Sequence, residues 1–182
     1  MPLLQGGFWV ITNVGCSIKS FLCATFDVTS EYIEDRIQTV FLDGKSVDDV
    51  DTAMINDGAV LALSAAMPGL VGATLRRGGH LAAFRNVITH HSGKGAGSVY
   101  KGMVAIRLFN LLVKELGYPL LKKGIYVRGN DLADPLNRLI KKSSKDKLGA
   151  AVDGVEIDLE SLVVNQNLNT TELISLIIDT GT

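Results

Sequence analysis

Two stretches carry the residues best suited to handling a negatively charged group. The first is Arg76-Arg77-Gly78-Gly79-His80, with Arg85 close behind, and the second is His90-His91-Ser92-Gly93-Lys94-Gly95-Ala96-Gly97-Ser98. Guanidinium and ammonium groups attract anions. Glycine lets backbone N–H groups approach a ligand closely, and histidine exchanges protons near neutral pH. Both stretches lie in 58–114, 57 residues without Asp or Glu that hold seven of the eighteen Lys and Arg, all three His and nine of the nineteen Gly. Cations without carboxylate competitors make this the expected place for an anionic ligand. The preceding segment, 27–57, is the reverse, with nine acids against Arg36 and Lys45. A strip of about −7 therefore sits beside a strip of about +7.

Spacing excludes several specific chemistries. A Walker A loop needs Gly five residues before Gly-Lys-Ser/Thr; here Ile88 holds that place and Gly95 follows Lys94. A dinucleotide fingerprint fails too, because Gly93-Lys94-Gly95-Ala96-Gly97 has its third Gly one residue early and the only acid at ribose-binding distance is Glu115. In a strand His90 and His91 point to opposite faces, and no Cys, Asp or Glu in the segment completes a zinc set. No metal is expected, and the pattern names no cofactor. Binding sites are read at Arg76, Arg77, His80, Arg85, His90, His91, Gly93, Lys94, Gly95, Gly97 and Ser98, in loops 67–80 and 90–98. Each has a packing alternative. The arginines can pair with acids of 43–57, the glycines can allow close packing or form a linker, and the histidines can be structural.

The elements that must position these loops follow from periodicity. Segments 8–12, 18–26 and 36–42 read as strands, Asp43-Gly44 as a hairpin turn, and Asp57-Gly58 as a second turn. Segment 59–64 is apolar on both faces and reads as a buried central strand. Pro68-Gly69 and Gly78-Gly79 frame a loop or short helix. Ser98 reads as the N-cap of a long core helix over about 98–116, with Met103, Ile106, Phe109 and Leu112 on one face and Gly117 as its stop. Such a helix would aim free N–H groups at an anion on the glycine loop. Leu61, Leu63, Ile106, Phe109 and Leu112 are expected in one core. Strand 125–127, helix 134–142, a turn at Asp153-Gly154 before strand 155–159, and a final helix 170–179 complete the reading.

The run Val40-Phe41-Leu42-Asp43-Gly44-Lys45-Ser46-Val47, followed by acids and then Asn56-Asp57-Gly58-Ala59-Val60-Leu61-Ala62-Leu63, resembles the last two hairpins of small β-grasp sulfur carriers. The likeness covers roughly 25 of 182 residues. It implies local hairpin topology. Those carriers end in a free, activated Gly-Gly. Here Arg77-Gly78-Gly79 is followed by His80 and a hundred more residues, so the carrier chemistry does not carry over.

A chain of 182 residues suffices for one domain with its own core, and 1–182 reads as a single mixed α/β (α+β) domain with a β-rich N-terminal half and a C-terminal hairpin and helix. An apolar fraction of 47% and mean hydropathy of +0.26 favour a homo-oligomer or a well-buried core equally. Net charge of −1 argues against nucleic acid and membrane surfaces as partners. Neither a spanning segment nor a signal peptide is apparent, so a cytoplasmic protein is expected. Cys16 and Cys23 read as reduced thiols, with a disulfide as the alternative. The functional reading is binding of a small phosphate- or carboxylate-bearing molecule. The alternatives are an assembly module joining strip 27–57 of one subunit to strip 58–114 of another, and a transferase-like enzyme with a His acid–base.

Overall fold

The computed structural model describes residues 2–81, 98–142, 149–152, 155–158, 168 and 170–178. In chain order these form α1 (Pro2–Gly6), β1 (Phe8–Val14), β2 (Cys16–Ser17), α2 (Ile18–Phe26), α3 (Ser30–Arg36), β3 (Thr39–Leu42), β4 (Lys45–Ser46), β5 (Met54–Ile55), β6 (Val60–Ser64), α4 (Gly69–Leu75), β7 (Tyr100–Phe109), α5 (Leu111–Lys123), β8 (Ile125–Arg128), α6 (Gly129–Lys142), β9 (Gly149–Val152), β10 (Val155–Asp158) and β11 (Leu173–Leu176). The class is α+β, as the pattern predicts. A seven-stranded sheet runs β11-β8-β1-β7-β6-β3-β4, with small two-stranded sheets β9–β10 and β2–β5 beside it. All pairings are antiparallel except β6 with β7. Among the described residues, no helix is long and apolar enough to cross a membrane.

The Asp43-Gly44 turn forms as expected. Asp43 (φ 50°) and Gly44 (φ 79°) both take positive φ, which a tight two-residue hairpin requires. Strand β6 is internal, with Leu61 and Leu63 buried on the core face. Its other face is only partly covered, since Val60 is exposed, so the expectation of cover on both sides holds only toward its C-terminal end at Ser64.

Four expectations are corrected. Segment 18–26 is a helix, not a strand. Ser17 caps it by accepting from Ser20 N–H, and Ile18, Phe21, Leu22 and Phe26 share its buried face. No helix spans 98–116. Val104, Ile106 and Leu108 alternate inward on strand β7, which pairs with β1 from Phe8↔Ile106 to Val14↔Tyr100. The helix that follows is α5, and it runs through Gly117 and Pro119 to a true stop at Gly124 (φ 97°). Gly117 serves packing, since a Cβ there would lie 2.6 Å from Leu4 Cδ1. The final segment is strand β11, pairing Leu173↔Arg128 through Leu176↔Ile125, because β8 offers it an open edge. Leu61, Leu63, Ile106 and Leu112 share the buried cluster, but Phe109 is half-buried, alternating away from Leu108 onto the opposite face.

Candidate functional site

The site forms where β6 ends and β3 begins. Thr39 pairs with Ser64 in register, and Gln38 N–H donates to the Ser64 carbonyl at 3.1 Å. The chain leaves β6, turns at Pro68 and folds back as α4. Gly72 makes that return possible. A Cβ there would stand 1.8 Å from the Met67 carbonyl oxygen, so only glycine lets the turn close so tightly. The far end of α4 is fastened to the sheet by Arg77 N–H, which donates to the Gln38 carbonyl at 2.8 Å.

Between α4 and the start of β3 lies an open cleft of about 180 Å³. Gln38, Thr39 and Arg76 give it polar groups, and Ala66, Met67 and Ala73 give it apolar wall. Thr39 is 1% exposed, and its hydroxyl Oγ1 has no hydrogen-bond partner among the described residues. Buried hydroxyls are normally paired, and an unpaired one costs about 1–3 kcal/mol. The Gln38 side chain uses an amide N–H on the Asp35 carbonyl at 2.9 Å.

The two adjacent arginines divide. Arg76 has extended backbone (φ −63°, ψ 129°), and in extended chain successive side chains leave on opposite sides. Arg76 lines the cleft. Arg77 is half-buried and its Nη2 donates to the Ile33 carbonyl at 3.2 Å. Burial pulls its guanidinium below the ordinary value, while the carboxylates of Glu34, Asp51, Asp48 and Asp49 oppose that shift. Gly78 N–H donates to Asp48 Oδ1 at 3.0 Å, and Lys19 bridges Glu34 at 3.6 Å and Asp51 at 3.1 Å. Charge from acids of the negative strip therefore acts on Arg77 within one chain.

The remaining sequence-derived positions separate. His80 is exposed in the turn after α4. Arg85, His90, His91, Gly93, Lys94, Gly95 and Gly97 lie outside the described residues. Ser98 is exposed and leads into β7, so it caps no helix, and the helix end expected to face the glycine loop is absent. A Cβ on Gly15 would stand 2.4 Å from the Ser98 carbonyl oxygen, which is a backbone packing role for Ser98.

Thr39 and Asn110 are the residues that sequence reasoning misses. In the sequence Thr39 is one polar residue within the apolar run 37–42. Asn110, between β7 and α5, holds φ 55° and ψ −133°, and its Nδ2 donates to Ser64 Oγ at 2.8 Å. Asn tolerates positive φ better than most residues, which is the one local signal at that position. Glu115, considered above as a ribose ligand, instead ties α3 to α5. It accepts from Tyr32 Oη at 2.6 Å, from Arg36 Nε at 3.3 Å and from Arg36 Nη2. Arg36, then Tyr32, holds its carboxyl below the usual range, while burial and Glu115 push the Tyr32 phenol up.

Cys16 and Cys23 are free and half-buried, and burial pushes the Cys16 thiol up, away from reactivity. Among the described residues, no group of three or more His, Cys, Asp and Glu is arranged to hold a metal ion. What the cleft offers is a planar cationic fork, a hydroxyl and an amide beside a short apolar wall. Groups of these kinds are able to hold an anion, since guanidinium meets a carboxylate or phosphate with two parallel hydrogen bonds. Comparison of the chain with protein-family models, with curated proteins and with solved structures finds no match.

Proposed function

We propose that the protein binds a small anionic molecule in the cleft between β3 and α4. The observation that carries this reading is the Thr39 hydroxyl, buried beside Arg76 without a partner among the described residues. A ligand whose charge meets the guanidinium would reach that hydroxyl by displacing the side chains over it, since the oxygen has almost no exposed surface. The site keeps the expected 67–80 loop and adds the start of β3. Thermal unfolding at constant ionic strength tests it, with acetate or inorganic phosphate replacing chloride. A bound anion raises the melting temperature as ligand concentration passes its Kd. The rise should vanish in Arg76→Gln. No rise with any anion, or an equal rise in the variant, refutes the site.

A second reading, homo-oligomeric assembly, draws on one observation. Leu70 and Val71 on the outer side of α4 are 76% and 68% exposed. Paired apolar side chains of that exposure suit a protein contact. The charge strips support assembly less, because Arg77 already faces Asp48, Asp49 and Asp51 in its own chain. A sizing column run at low and high salt separates the modes. An apolar contact survives salt, whereas a contact between strips is lost.

A further inference from the structure

We infer that the protein pairs with a second copy of itself along the outer edge of β11, the two strands running antiparallel about Ser175, so that two seven-stranded sheets join into one. The inference stands apart from the anion cleft and from the exposed side chains of α4.

The edge comes first. Among the described strands β11 borders only β8, and β4 closes the other end of the sheet. Natural edges are usually kept short or marked with charge, which stops them pairing with other chains. β4 follows that rule: it is two residues long and carries the exposed Lys45. β11 does not, since Leu173-Ile174-Ser175-Leu176-Ile177-Ile178 holds neither a charged residue nor a proline. Its backbone has an open side as well. In an antiparallel pair, alternate residues send their N–H and C=O groups to opposite edges. Gly129 N–H donates to the Glu172 carbonyl at 3.2 Å, and the register runs from Leu173↔Arg128 to Leu176↔Ile125. Glu172, Ile174 and Leu176 therefore bond toward β8, while Leu173, Ser175 and Ile177 turn their backbone groups outward. Among the described residues no hydrogen bond reaches those outward groups.

The edge is complementary to its own copy. A twofold axis at Ser175 sets that residue against the partner's Ser175 and Leu173 against the partner's Ile177. These are the outward-turned positions, so each pair can exchange both of its backbone hydrogen bonds. Leu173 and Ile177 are also the apolar side chains this face leaves open, at 37% and 63% exposed. Pairing sets them side by side on one face of the joined sheet, where apolar cross-strand neighbours stabilise.

Charge chooses the direction. Exposed Glu172 stands at the start of β11. Ile178 N–H donates to the Leu121 carbonyl at 3.0 Å, so exposed Lys122 stands at the other end. An antiparallel partner brings each Glu172 toward the partner's Lys122, whereas a parallel one sets acid against acid. Two neighbouring cations point elsewhere. Lys123 Nζ reaches back to the Thr25 carbonyl at 3.5 Å. The Arg128 guanidinium lies over the Trp9 ring, 5.0 Å from its centroid, on the β1 side of β8.

Sedimentation velocity of the whole chain over the micromolar to millimolar range tests the pairing. Wild type should pass from monomer to dimer as concentration rises. Ile177→Lys places a charge in the paired face and should raise the dimer dissociation constant about a hundredfold, with the monomer's melting temperature unchanged. Glu172→Lys and Lys122→Glu should each raise it about tenfold, and the double variant should restore it. Leu70→Ser with Val71→Ser, on α4, should leave it unchanged. Hydrogen exchange reads the register. Dimerisation should protect the amides of Leu173, Ser175 and Ile177, whereas those of Ile174 and Leu176 are protected at every concentration. A chain that stays monomeric throughout, whether the edge is idle or takes a strand from another protein, overturns the inference. So does a dimer indifferent to Ile177→Lys, one lost in the α4 variant instead, or one in which the double charge variant stays as weak as the single ones.

Discussion

Replacing Thr39 with Val should stabilise the protein while weakening the proposed anion binding, and those opposite signs separate a binding role from a packing role. The exchange swaps Oγ1 for a methyl group of nearly the same shape at a position that is 1% exposed. In wild type the hydroxyl is buried without a partner among the described residues, a situation worth about 1–3 kcal/mol of lost solvation. Valine removes that penalty and suits a strand better. Taking the lower end, about 1 kcal/mol, a chain of this length should melt about 2–4 °C higher. On the proposed function the hydroxyl is also a donor to the anion, so affinity for acetate or inorganic phosphate should drop as the melting temperature climbs. Differential scanning calorimetry reads the first effect and titration calorimetry the second.

The control is Thr39→Ser, which keeps the oxygen and loses the methyl group. It should bind and be less stable. A Thr39→Val protein that melts lower than wild type would refute the reasoning, because the hydroxyl would then be making a bond that matters. A variant that melts higher and binds normally would leave the packing argument intact and remove Thr39 from the site.

Three further outcomes are expected. Gly72→Ala places a Cβ against the Met67 carbonyl, so α4 must shift; stability should fall by about 1–3 kcal/mol by chemical denaturation, with loss of anion binding. Ile106→Ala, at a fully buried β7 position, should cost about 2–5 kcal/mol, and Phe109→Ala on the half-exposed face should cost clearly less, reversing the ranking that a helical reading of 98–116 gives. Glu115 has its folded-state pKa held down by Arg36 and Tyr32, so its contribution is complete above the unfolded value of about 4.3 and is lost as pH falls through the folded value. Between pH 7 and pH 3, urea midpoints should therefore fall further for wild type than for Glu115→Gln.

Local signals were legible where one residue type answers one backbone demand. Asp43-Gly44 predicts its turn because both positions need positive φ, and Gly58 does the same before β6. The segment 100–123 was not legible from period alone. Met103, Ile106, Phe109 and Leu112 satisfy helical steps, while Val104, Ile106 and Leu108 satisfy strand alternation, so an apolar-rich run fits both. The choice falls to β1, nearly a hundred residues away, whose strand supplies the pairing. Segment 173–178 has the same ambiguity, and the open edge of β8 decides it. At the site, Arg76 was legible as a cation in an acid-free, glycine-rich stretch. Thr39 was not, because an unsatisfied hydroxyl is a property of its surroundings and leaves no trace in the identity of the residue.

The division between Arg76 and Arg77 shows why charge along a sequence is a poor guide to charge at a site. The strip 58–114 reads as a basic region of about +7, which marks it as the expected place for a small anionic ligand. In the fold, extended backbone at Arg76 sends neighbouring side chains opposite ways, and the acids of 27–57 are placed around the inward one. Their electrostatic effect is local, and it offsets part of the cost of burying the Arg77 guanidinium. The acidic strip is thus a packing partner for one of the two arginines. Replacing Asp48 and Asp51 with Asn should therefore destabilise the fold around Arg77, read as a lower urea midpoint. An unchanged midpoint in that variant would mean that the buried guanidinium is held without their charge.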